Sequence, residues 1–225
     1  MVVIIMDDLA MLRLWQLISP TLPVGAYAYS GGMESAVEQG QVVCETMVYE
    51  WVSGLLTEGL GRNDLPMFFM MLRGWQQEDL TRLEQLNQKL QAMRETKELL
   101  AEDRHMGLAL QRLLHDLGVS EASRLEVPSF VSIYSLACHY WHIESSTGAA
   151  GLAWSWMENQ IAAAIKLVPL GQTAGQRLLQ KLSLDIHATV NRAANLSEDE
   201  LGQSLPGLAL LSAAHENQYS RIFRS

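Results

Sequence analysis

Residues 127–165 read VPSFVSIYSLACHYWHIESSTGAAGLAWSWMENQIAAAI and carry only two formal charges, Glu144 and Glu158. A helix that is apolar on every side has to be surrounded by protein. The stretch therefore reads as two helices at the middle of the molecule, in a core or at a subunit seam. Its small residues, Gly148, Ala149, Ala150, Gly151 and Ala153, then Ala162 to Ala164, allow close helix approach. More faces are apolar than a monomeric bundle of this size needs, so a homodimer is expected.

Outward from this hairpin the period is helical throughout. Met11, Leu14, Trp15 and Ile18 keep the spacing of one buried helix face, and Leu65, Phe68, Phe69 and Leu72 repeat it. Asp64 is placed to cap that second helix, ahead of Pro66 in its first turn. Further stripes run over Leu83, Leu86, Leu90 and Met93, over Met106, Leu110, Leu113 and Leu117 up to Gly118, and over Leu179, Leu182, Ile186, Val190 and Ala193. Residues 73–126 hold 18 of the 41 charged side chains, so the helices there keep a solvated face. The expected fold is all-α: one helical bundle over 1–225 around a central apolar hairpin, with 1–5 and 219–225 as flexible ends.

Composition narrows the function. Hydrophobic residues make up 48% and charged residues 18%, which excludes intrinsic disorder. The net charge of −9 offers no basic face for nucleic acid or an anionic membrane. Cys44 and Cys138 form no CxxC pair, which suits a reducing cytoplasm. The apolar start, MVVIIMDDLAMLRLWQLI, lacks a basic leader region and is broken by Asp7 and Asp8, so export is not expected.

Catalytic signatures are missing from the sequence. It holds no GxxxxGK[ST], GxSxG or HExxH. Its single Glu-x-x-His, Glu102 to His105, sits among Asp103 and Arg104 and reads as a solvated face rather than half of a di-iron site. Cys138, His139 and His142 fall at helical spacings that bring them to one face, so a helical metalloprotein built on them is the rival reading. Core histidines satisfied by hydrogen bonds are the plainer one.

Two segments depart from a simple bundle. SPTLPVGAYAYSGG (19–32) joins two helices and ends in Ser30, placed to cap a short helix with Met33, Glu34, Ala36 and Val37 that stops at Gly40. Loops of this kind carry function when a rigid scaffold positions them. The final segment, HENQYSRIFRS, brings two aromatics and two arginines to an acidic protein and suggests a partner that holds it. Lys166, just before LVPLGQ, lies at a helix C-terminus, where the dipole favours a cation, or serves as a contact point.

LWQLISPTLPVGAYAYSGGMESAVEQG resembles the N-terminal signature of the UreF family of urease accessory proteins. The similarity continues in order through TEGLGRNDLPMF, RETKELLAEDRHMGLAL, AAAIKLVPLGQ and HENQYSRIFRS. Ala28 and Gly31 are small departures from the family pattern. The resemblance implies an all-helical, often dimeric, non-enzymatic factor that joins the UreD (UreH) scaffold and the UreG GTPase to insert nickel into urease apoprotein. It implies no cofactor for the chain itself, nickel at most passing through the complex. On the same ground Tyr27, Tyr29, Ser30, Glu34 and Lys166 are expected to meet the GTPase, and Tyr219, Arg221, Phe223, Arg224 and Ser225 the scaffold.

Overall fold

The computed structural model describes residues 6–225, and every described element is helical. The expectation for 1–5 falls outside the described residues. In chain order the α-helices are α1 (Met6–Leu17), α2 (Met33–Glu38), α3 (Glu45–Gly54), α4 (Asp64–Gln76), α5 (Leu80–Ala92), α6 (Lys97–Asp116), α7 (Phe130–Tyr140), α8 (Ser145–Leu167), α9 (Gln172–Ala194) and α10 (Pro206–His215). Helix α3 widens into a π turn at Leu55–Leu60, where Arg192 of α9 donates to the carbonyl of Thr57. Asp79, Thr96, Ser129 and Glu144 cap α5, α6, α7 and α8, each accepting from backbone N–H groups of the first turn.

The centre is built from α4, α7 and α8. Leu65, Met67, Phe68 and Met71 of α4 are wholly buried, as are Ile133, Tyr134 and Ala137 of α7 and Ala149, Ala153 and Met157 of α8. Helices α7 and α8 meet mainly at their turn, where the Tyr134 hydroxyl donates to the Gly148 carbonyl at 3.0 Å. Beyond it they take different partners. Helix α7 lies on α4 and α6, with Trp75 Nε1 donating to the Ser132 carbonyl and Ser135 Oγ, while α8 runs along α9. The apolar hairpin is thus central, and it is wedged open by its neighbours rather than closed on itself.

Several local expectations are corrected. Leu14 and Leu17 face the core, whereas Met11 and Trp15 are 41% and 58% exposed, so the buried stripe of α1 is narrower than its sequence suggests. Asn63 occupies the cap of α4, and Asp64 turns inward to Arg94. Gly32 caps α2, and Ser30 reaches its first turn from two residues upstream. Leu117 is exposed and Leu114 takes the core position. In the segment expected as a flexible end at 219–225, Tyr219 and Ile222 are exposed, whereas Phe223 and Ser225 are buried, because polar groups of α2 and α6 accept from them.

Helix α6 crosses the entry to α7 so closely that Gly107 has no room for a side chain. A Cβ there would lie 2.3 Å from the Pro128 carbonyl oxygen, a backbone atom that cannot swing aside. Gly107→Ala is expected to lower unfolding stability by roughly 1–3 kcal/mol, the usual range for overpacking, read as a drop in the urea midpoint. An unchanged midpoint would show that α6 and α7 can separate freely.

Candidate functional site

The loop before α2 is shaped by Gly31 and Gly32, whose φ of 58° and 81° turn the chain sharply. The turn brings Ser30 Oγ under the Glu34 N–H at 3.2 Å and aims the Glu34 side chain inward. Glu34 is 4% exposed. A buried carboxylate needs donors, and it finds three. Its Oε1 accepts the Ile222 N–H at 2.7 Å, and its Oε2 accepts the Phe223 N–H at 2.8 Å and faces His215 Nε2 at 3.1 Å.

Around this carboxylate the last segment is tied at several points. Arg224 N–H donates to the Ala28 carbonyl at 2.8 Å, and Ser30 donates to the Ser225 carbonyl from both its N–H and its hydroxyl. Ser225 Oγ donates to Glu102 at 2.6 Å, and Arg221 pairs with Glu98 at 2.7 Å. The Phe223 ring is buried beneath Lys166, whose Nζ lies 5.2 Å from the ring centroid, within cation–π range.

A second polar group lies just behind. Asp64 holds Arg94 in a two-point contact of 2.6 and 3.2 Å, and Asp103 approaches the same guanidinium at 3.4 Å while accepting the Phe130 N–H. Burial works against the Arg94 charge, but Asp103 and Asp64 outweigh it and hold the guanidinium's pKa above its ordinary value. These residues line a cavity of about 300 Å³ shared with Tyr27, Glu102 and Gln160. Arg94 Nε, Asp103 Oδ2 and Gln160 Oε1 are buried there without a hydrogen-bond partner among the described residues. Burial pushes Glu102 up to about 7, with the Ser225 hydrogen bond and Arg94 pulling the other way.

Ser30, Glu34 and Lys166 of one residue set therefore meet Phe223 and Ser225 of the other in one cluster, and Tyr219 lies outside it. Lys166 and Tyr27 are exposed, whereas Tyr29, Ser30 and Glu34 are buried; Tyr29 bonds to His105 at 3.0 Å. Of the last segment, Tyr219, Arg221 and Arg224 are exposed, and Phe223 and Ser225 are not. Glu34 was expected on a displayed helix; the segment covers it. The solvated-face reading holds for Arg104 and His105, which are exposed, and fails for Asp103, which is buried; Glu102 is half-buried, with its carboxylate accepting from Ser225.

The rival metal set is dispersed. Helix α7 ends at Tyr140, His142 stands beyond it at φ 55°, and Cys138 is buried with its thiol pKa pushed up by burial. Among the described residues no group of three His, Cys, Asp or Glu side chains is arranged to hold a metal.

His215, Glu98 and Arg94 are the members that sequence reading missed. Glu98 and Arg94 were hidden in the most charged stretch of the chain. His215 opens the final segment HENQYSRIFRS in the sequence, yet it is 0% exposed at the end of α10. The available signal was His215, the one ionisable side chain of the otherwise apolar α10.

The geometry suits holding a peptide segment, and comparison with known proteins bears on what that serves. The UreF family model matches residues 42–183. A urease accessory protein UreF from Hahella chejuensis is 48% identical over 98% of this chain and 100% of its own length. One from Alkalilimnicola ehrlichii is 47% identical over 96% of each chain, and one from a Marinomonas species 45% identical over 99% and 97%.

Glu102 carries a pH signature. Folded, it keeps its proton up to about pH 7, whereas its ordinary value is 4.5. The folded state binds that proton more tightly, so the stabilisation is complete below about pH 4.5 and is lost as pH rises through about 7. The wild-type melting temperature is therefore expected to fall relative to Glu102→Gln between pH 5 and 8, measured by scanning calorimetry. Parallel curves would place the Glu102 carboxyl in water.

Proposed function

The chain belongs to the UreF family of urease accessory proteins, and on that premise we propose that it is a non-enzymatic adaptor in urease maturation. In this reading it joins the UreD (UreH) scaffold to the UreG GTPase, and the complex inserts nickel into urease apoprotein. The observation that carries the reading is the merged cluster: Glu34, Lys166 and the segment 221–225 hold one another, and exposed Lys166, Tyr27, Arg224 and Tyr219 are left for partners. Aromatic and arginine side chains are the types that anchor interfaces. The naming of the relatives as accessory proteins supports a role without turnover.

A homodimer is part of the proposal. Helix α1 exposes Leu9, Leu12 and Trp15, and Trp15 borders a groove that Trp154 and Ala150 of α8 and Ile186 of α9 also line. So much apolar surface on one side of a chain suits a second copy. A cytoplasmic setting is supported by free Cys44 and Cys138 and by the finding that no helix among the described residues is long and apolar enough to cross a membrane.

A pull-down with the cognate scaffold and GTPase tests the adaptor role. Lys166→Ala is expected to weaken capture of the GTPase by about tenfold, a hot-spot-sized loss, with unchanged helix content by circular dichroism. Full capture by this variant, or none by the wild type, would overturn the assignment. Trp15→Asp is expected to convert the dimer to monomer in sedimentation velocity; a wild-type monomer at all concentrations would remove the dimer.

A further inference from the structure

His215 is fully buried, and both of its ring nitrogens face carboxylates from different helices. Nε2 lies 3.1 Å from Glu34 Oε2 on α2, and Nδ1 lies 2.7 Å from Glu98 Oε2 on α6. A neutral imidazole has one N–H and can donate to only one of them; donating to both requires the imidazolium. The charge count agrees. Glu34 and Glu98 supply two negative charges, and Arg221 on Glu98 supplies one positive. A charged ring closes the balance, and a neutral ring would leave one buried negative charge uncompensated.

We infer that His215 is a positioning residue: as an imidazolium it clamps Glu34 and Glu98 together and so fixes the docking register of the segment 221–223. The carboxylate oxygens that the ring does not occupy receive the segment. Glu34 Oε1 takes the Ile222 N–H and Glu98 Oε1 takes Arg221, while Glu34 Oε2 shares the ring with the Phe223 N–H. Three consecutive residues are thereby placed by two side chains that one ring aligns. This role is independent of which partner the segment meets, and it deepens the adaptor reading by naming what holds the contact residues in place.

Amide hydrogen exchange at Ile222 and Phe223 in the full chain reads docking directly, without any partner, so its outcome is separable from that of the pull-down. His215→Gln keeps one donor but removes the charge, and is expected to raise exchange at both amides by about tenfold, a loss of about 1.4 kcal/mol. Glu98→Gln alone also raises it, because Arg221 loses its carboxylate. In the His215→Gln background, however, Glu98→Gln returns the cluster to one negative and one positive charge and removes the repulsion between two carboxylates that no cation separates, so it is expected to lower exchange from the His215→Gln value. That reversal of sign is what a role in shape alone would not produce. Additive loosening in the double variant would overturn the assignment. Should His215→Gln fail to fold, ring nitrogen NMR of the wild type decides: protons on both Nδ1 and Nε2 support the clamp, and an unprotonated ring nitrogen refutes it.

Discussion

A buried carboxylate has to be answered by donors, and at Glu34 that requirement shapes everything around it. Removing an ionised carboxylate from water is costly unless charge and hydrogen bonds are supplied locally. Helix α2 is too short to supply them itself, spanning Met33–Glu38. They come instead from the far end of the sequence, two backbone N–H groups of 222–223 and the ring of His215. Local contacts could not have ordered the last segment; the carboxylate's need for donors does.

The same logic recurs at Arg94. Its guanidinium is drawn between Asp64 at the start of α4 and Asp103 in the middle of α6, and Asp103 also receives the first N–H of α7. One charge network thus pins three helices where apolar packing alone would let them slide. It leaves Arg94 Nε, Asp103 Oδ2 and Gln160 Oε1 around the cavity unpartnered among the described residues. Through Glu102 and Ser225 this network touches the one centred on Glu34. The two buried polar systems therefore share a wall, and the docked segment belongs to both.

Apolar surface is distributed in a complementary way. Helix α4 is buried except at Arg73 and Gln76, while α1 turns Leu14 and Leu17 inward and leaves Leu9, Leu12 and Trp15 outside. Large apolar side chains are exposed elsewhere as well, at Val43, Met47, Leu184 and Leu210. The polar contact cluster and this apolar face are built from different elements, apart from α8, which contributes Lys166 to one and Trp154 to the other.

The sequence by itself determined the helices. The stripes over 65–72, 83–90 and 179–193 are buried as their spacing requires, and the uncharged stretch 127–165 lies at the centre, because periodicity and charge density are local properties of the chain. The individual residues Glu34, Lys166 and Phe223 could also be picked out, since each is a chemical exception in its surroundings. What sequence could not reveal is that they meet. Glu34 and Phe223 are 189 positions apart, and their contact depends on α10 placing His215 beside α2 and α6. Likewise Asp103 sits in a stretch whose charge density announces solvent, and only the packing of α6 against the entry to α7 turns it inward. Which face of a helix is buried follows from its own residues. Which distant group answers a buried charge is decided by the packing of every other helix.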